Sequence, residues 1–251
     1  MSGREVKTAI VTGGARGIGR AVGLALARQG FAVALVDVLE EALKETAREI
    51  AALGRDCVPL VADVSDYKAA HAHVDALAKR WGQINVLVNN AAVLQPKRIL
   101  EITEAEWDLG MAVNLKGVFN WCQAVAPVML AGDGGRIVNV SSVSAHTGPA
   151  PHAASRFAYS ATKAGVLGLT RGLARELAPK IAVNAVCPGA ILTDRTRDSF
   201  ASHMERLAQT IPLARVGTPE DIATVIAFLA TAEPFFMTGE VVDVDGGACI
   251  N

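Results

Sequence analysis

Tyr159 and Lys163 are the residues whose types and spacing could do chemistry. On a helix they lie four residues apart and share a face. An ammonium beside a phenol favours the phenolate, which predicts a pKa below the usual ~10 of tyrosine. Such a tyrosine can exchange a proton with an alcohol near neutral pH. About 150 residues earlier, Thr12-Gly13-Gly14-Ala15-Arg16-Gly17-Ile18-Gly19 forms a glycine-rich turn. Glycines there let the backbone turn sharply and approach a pyrophosphate, which a following helix N-terminus stabilises. The spacing differs from GxGxxG, so the strand before it and the helix after it carry the assignment. The two motifs together predict a hydride carried by a nicotinamide dinucleotide and a proton carried by Tyr159.

These groups must be positioned by regular elements. Near-continuous apolar runs at Lys7–Thr12, Phe31–Asp37, Cys57–Ala62, Ile84–Asn89, Arg136–Ser141, Ile181–Cys187 and Glu240–Val244 predict about seven strands. Such runs suit parallel strands covered on both faces. Helices are predicted over Gly17–Gln29, Glu40–Leu53, Tyr67–Arg80, Glu104–Met129, Tyr159–Leu177 and Pro219–Leu229. The alternation implies an α/β fold, a doubly wound parallel sheet in three layers. Ligands then bind beyond the carboxyl ends of the strands.

The chain has 251 residues, 51% hydrophobic and 20% charged, without a composition shift, which predicts one domain over 1–251. A net charge of −1 leaves no basic field for nucleic acid or an anionic membrane. Cys57, Cys122, Cys187 and Cys249 form no CxxC pair. With no apolar run long enough to span a bilayer and no export signal, a cytoplasmic location is expected. There is no HExxH, and His71 with His73 fits neither helix face, so no metal site is expected.

With these motifs in order, the chain resembles the short-chain dehydrogenase/reductase family from about residue 5 to residue 247. Beside Thr12–Gly19 and Tyr159-x-x-x-Lys163, Asn89-Asn90-Ala91-Ala92 is similar to that family's strand-end motif, with Ala92 where glycine is usual. The resemblance implies a Rossmann fold and a catalytic set of Asn114, Ser142, Tyr159 and Lys163. Ser142 would orient the substrate oxygen, and Asn114 would hold a water that links Lys163 to solvent. Ser141 is expected to bond locally. The dinucleotide would be bound by Gly13, Arg16, Gly17, Ile18, Gly19, Asp63, Val64, Asn90, Ala91, Tyr159 and Lys163. Pro188, Gly189, Ile191 and Thr193 would form the nicotinamide side.

Asp37 ends the second strand, where a carboxylate accepts from ribose hydroxyls and repels a 2′-phosphate. It could instead cap the next helix, as could Asp63. Arg16 could pair with a 2′-phosphate; the balance favours NAD over NADP. The expected reaction interconverts a secondary alcohol and its ketone, a small molecule. Alternatives are a 3-oxoacyl-carrier-protein reductase and a non-catalytic dinucleotide sensor. The long loop Val143–Ala158, with His146 and His152, is expected to rim the pocket, whose wall would come from Val93–Gln95, Val143–His152 and Leu192–Thr210 with Arg195, Arg197, Phe200, His203, Met204 and Arg206.

The helices Glu104–Met129 and Tyr159–Leu177 carry apolar residues around more of their circumference than one sheet face covers, and the family's members assemble through such surfaces. A homotetramer is therefore expected rather than a dimer. Light scattering on the purified protein should give about four times the 26.2 kDa chain mass; a monomer at micromolar concentration would refute it.

Overall fold

The computed structural model describes residues 6–150, 153–202 and 204–250. Seven strands form one sheet: β1 (Thr8–Thr12), β2 (Ala32–Asp37), β3 (Cys57–Val61), β4 (Val86–Asn89), β5 (Gly135–Val140), β6 (Ile181–Pro188) and β7 (Val241–Val244). Their order is β3-β2-β1-β4-β5-β6-β7, and every pairing is parallel. Each predicted strand is present, with ends within two residues of expectation. The order reverses between β1 and β4, so a crevice opens there at the carboxyl ends.

Helices α1 (Gly17–Arg28), α2 (Glu40–Ala52), α3 (Tyr67–Trp81), α4 (Glu104–Met111), α5 (Gly117–Ala131), α6 (Ser144–Thr147), α7 (Phe157–Leu177), α8 (Arg197–Ala201), α9 (Met204–Gln209) and α10 (Pro219–Thr231) complete the chain. One buried apolar cluster joins the sheet to α1, α2 and α10, and a second joins its other face to α3, α5 and α7. Three layers result. The short helices α6, α8 and α9 fall in the two long loops, where sequence periodicity gave no signal.

The single helix expected over Glu104–Met129 is interrupted. A π-helical turn, Ala112–Lys116, separates α4 from α5, with the buried Asn114 inside it. A wider turn releases backbone from the regular ladder and is common at functional sites.

Helix α7 is fastened to the sheet by buried polar contacts as well as by packing. Asn89 Nδ2 donates to Asn139 Oδ1 at 2.9 Å, and Asn139 Nδ2 donates to Thr170 Oγ1 at 3.0 Å. Thr170 in turn donates to the Val166 carbonyl. This chain joins β4, β5 and α7. Asn139→Leu keeps the volume but removes two buried hydrogen bonds, to Asn89 and to Thr170, which should lower stability by ~1–3 kcal/mol. The urea midpoint measures it, and an unchanged midpoint would contradict the role assigned to this ladder.

Candidate active site

The crevice at the strand ends is a cleft of about 1060 Å³. Its wall includes Gly13, Arg16, Gly17, Ile18, Asp37, Asp63, Val64, Asn90 and Ala91 on one side. Ser142, Tyr159, Lys163, Pro188, Gly189, Ile191 and Thr193 complete it. Two expected residues stand behind this wall, Gly19 and Asn114.

The glycine turn is built for close backbone approach. Gly13 and Gly17 have φ of +65° and +55°, a region that favours glycine. A Cβ on Gly19 would lie 2.0 Å from the Gly13 carbonyl oxygen, so Gly19 shapes the turn without facing the cleft. Neighbouring strands hold the turn in place. The Asn90 amide and the Ala91 amide both donate to Thr12 Oγ1, at 3.0 and 3.1 Å. Asn90 Nδ2 donates to the carbonyls of Thr12 and Gly13. Asp37 Oδ2 accepts from the Ala15 amide at 3.1 Å, and Oδ1 from the Leu39 amide. Asp37 is therefore not the cap of α2, whose N-cap is Leu39; nor does Asp63 cap α3, where Asp66 accepts from Ala69. Asp63 accepts from the Ser65 amide. Each Asp37 oxygen takes one amide and keeps acceptor capacity for ribose hydroxyls.

This cradle fits a dinucleotide: backbone without Cβ atoms at the pyrophosphate position, the N-terminus of α1 behind it, and a carboxylate at the end of β2.

On the opposite side, Lys163 is buried, and its Nζ donates to the Val140 carbonyl at 2.7 Å. The same Nζ lies 5.5 Å from the centre of the Tyr159 ring. Ser141 Oγ donates to the Lys163 carbonyl at 2.8 Å, so this serine ties β5 to α7 and is not the local contact expected. Ser142 Oγ accepts from the amide and hydroxyl of Ser144, which leaves its own hydrogen for a ligand. Asn114 Oδ1 accepts from the Val93 amide at 2.7 Å, and Nδ2 donates to the Val93 carbonyl and to Thr162 Oγ1. Its amide thus holds the loop segment that follows Ala92.

Electrostatics correct one expectation. Burial pushes the Tyr159 phenol up to about 12, and the charge of Arg195 opposes that rise. Burial, with Arg195 adding, brings Lys163 down to about 8. Lys163 does not lower Tyr159 as its spacing predicted, because its ammonium faces the Val140 carbonyl and desolvation outweighs its field. The cation that favours the phenolate is Arg195, whose Nη1 donates to the Ala92 carbonyl at 2.7 Å. Arg195 is itself lowered by burial and also interacts with Arg16 and Asp37.

Of the expected pocket wall, Val93, Val143, Arg195, Phe200 and Arg206 face the cleft. Gln95 is instead buried, with Nε2 donating to the Glu106 carbonyl. Arg197 pairs with Asp194 on the exposed side. His152 and His203 lie outside the described residues. Two further residues, Asn120 and Thr196, organise the site without a motif to mark them. Asn120 donates to the carbonyls of Val64 and Ser65, and Thr196 Oγ1 receives the Thr193 amide while donating to the Ile191 carbonyl. A buried asparagine within an apolar helix was the available signal for the first.

Tyr159→Phe should leave dinucleotide binding nearly intact and remove almost all turnover, a loss of ~10²–10⁴-fold; more than a tenth of the wild-type rate would contradict it. Arg195→Met removes the positive charge that favours the phenolate. The pKa governing alcohol oxidation should then rise, moving the active limb of the kcat/KM profile to higher pH. A shift to lower pH would reverse the assignment.

Comparisons with known proteins extend over nearly the whole chain. A family model described as Enoyl-(Acyl carrier protein) reductase matches residues 13–249. A 3-oxoacyl-[acyl-carrier-protein] reductase FabG of Staphylococcus aureus is 41% identical over 247 residues, covering 97% of this chain and 98% of its own. The enzyme of the same name from Thermotoga maritima is 40% identical, covering 98% and 99%. Among solved structures, a short-chain dehydrogenase/reductase described as glucose/ribitol dehydrogenase, from Brucella melitensis, superposes with a TM-score of 0.91. It is 34% identical and covers 98% of this chain and 99% of its own.

Proposed function

The chain belongs to the short-chain dehydrogenase/reductase family of oxidoreductases, and from that premise we propose that it interconverts a small secondary alcohol and its ketone with NAD. The observation that carries this reading is the meeting of Tyr159, Ser142 and the glycine cradle in one cleft. When bound, the nicotinamide dinucleotide supplies or accepts the hydride. Tyr159 moves the proton at the alcohol oxygen. Ser142 donates its remaining hydrogen to the same oxygen and so fixes the carbonyl beside the phenol. Lys163, held by Val140, lines the cleft and would hold the nicotinamide ribose when the cofactor is bound, and Asn114 steadies the backbone at Val93 from which a proton relay to solvent would start.

Asp37 supports NAD because its carboxylate ends β2 on the cleft wall, where the adenosine ribose would lie and a 2′-phosphate would meet like charge. Arg16 lies on the same wall and would favour NADP if Asp37 were removed. A second reading has specific support: the relatives named above act, by their names, on 3-oxoacyl groups carried by acyl carrier protein. Under it the substrate is a 3-oxoacyl thioester, and the reaction runs toward the alcohol. The homotetramer is retained as the proposed assembly; Leu109, Phe119 and Phe228 are half exposed, as surfaces that pair between copies would be. Among the described residues no helix is long and apolar enough to cross a membrane.

Initial rates with short 3-oxoacyl thioesters and with a panel of secondary alcohols and ketones, each with both cofactors, discriminate the two readings. Turnover of simple alcohols with NAD supports the first, and a strong preference for thioesters with NADPH replaces it by the second. No turnover of any of them would favour a dinucleotide sensor. Asp37→Ala should shift the ratio of catalytic efficiencies toward NADP, and an unmoved ratio would sink the cofactor assignment.

A further inference from the structure

Close to the cleft, three side chains from three elements converge outside the set used above. Cys187 and Asp243 are register partners on adjacent parallel strands, β6 and β7, and so project side by side from one face of the sheet. That face is the one covered by α7, since Cys187 packs with Leu167, Val143 and Ala145. Helix α6, which follows Ser142, brings His146 onto the pair. His146 Nε2 lies 3.6 Å from Cys187 Sγ and 3.4 Å from Asp243 Oδ1. All three potential ligand atoms fall within 4.8 Å of one another.

These separations are those of a coordination sphere. A tetrahedral zinc ion with ~2.3 Å to sulfur and ~2.0–2.1 Å to nitrogen and oxygen places its sulfur and nitrogen ligands about 3.6 Å apart, and its nitrogen and oxygen ligands about 3.4 Å apart. Two edges therefore match, and the third, between Cys187 Sγ and the Asp243 carboxylate, is no longer than 4.8 Å. The donor set points the same way. Thiolate with imidazole selects zinc over magnesium or calcium, which prefer oxygen ligands throughout. Cys187 and the Asp243 Oδ1 atom are buried, whereas the side chains of His146 and Asp243 as a whole are 21% and 20% exposed, so the edge of the cluster lies near solvent.

We propose that His146, Cys187 and Asp243 form a zinc site with three protein ligands and a fourth position open to water. The ion would pin α6 to the edge of the sheet. Because α6 begins two residues after Ser142, and Cys187 directly precedes Pro188 and Gly189, the ion would steady both the serine side and the nicotinamide side of the cleft. It takes no part in the reaction proposed above, and it does not depend on that reading.

Cobalt(II) tests this directly, because its coordination by a thiolate gives a sulfur-to-metal charge-transfer band. Full-length protein, stripped with a chelator and titrated with cobalt chloride, should bind one ion per chain with that band, and zinc chloride should abolish the band by displacement. Cys187→Ser and His146→Ala should each lose the band, and Cys249→Ser should keep it. Zinc should also slow hydrogen exchange across residues 143–150 in the wild type. No charge-transfer band in folded wild-type protein, or a band that survives in Cys187→Ser, would overturn the proposal. The wild-type measurement suffices even if a variant fails to fold.

Discussion

The removal of the Lys163 ammonium from water constrains everything around it. A buried charge is costly unless strong acceptors surround it. Here the Val140 carbonyl accepts from Nζ at the last residue of β5, while Ser141 donates back to the Lys163 carbonyl. The two contacts run in opposite directions between one strand end and one helical turn, so α7 can neither slide nor rotate without breaking both. The buried Asn139–Thr170 contact repeats the attachment two turns further along. With α7 fixed, the position of Tyr159 follows from helix geometry alone, one turn before Lys163 and facing the same cleft.

A second consequence concerns charge. Desolvation moves Tyr159 and Lys163 toward their neutral forms, which opposes a ready phenolate. A cation that enters from a loop can counter this without adding to the buried helix. Arg195 does so, anchored to the Ala92 carbonyl across the cleft. Its tether spans two strand-end segments, one after β4 and one after β6. Any ligand that displaces it from Ala92 would therefore change the proton affinity of Tyr159 as it binds, coupling occupancy of the cleft to readiness for proton transfer.

The sheet was legible in the sequence because parallel strands covered on both faces are mostly apolar, and β1 is a clear case, with Ala9, Ile10 and Val11 buried between two buried threonines. The glycine turn and the Tyr159–Lys163 pair were legible because each is a local pattern. What could not be read was set by contacts distant along the chain. Ser141 appeared a local hydrogen-bonding residue, yet its partner is 22 residues away. The π-helical turn at Asn114 left only the trace of an asparagine inside a helical pattern. Arg195 was visible merely as one of several charges in a loop, since its direction depends on how Thr196 folds that loop onto Ile191.

The histidine, cysteine and aspartate cluster shows the same limit in its sharpest form. Metal motifs legible in a sequence place ligands on one helix or one tight turn, where spacing and geometry are the same thing. Cys187 and Asp243 are 56 residues apart and His146 another 41 before Cys187. Register alone makes the first two adjacent, since β7 pairs with β6 so that Asp243 meets Cys187. A slip of one residue would turn Val242 or Val244 to that face and carry the carboxylate into the opposite apolar layer. That layer already receives Val242 and Val244, packed against the core beside α10, so burial of those two valines holds the carboxylate on the α7 side. The placement of the cluster is thus a consequence of ordinary hydrophobic packing on the far face of the sheet.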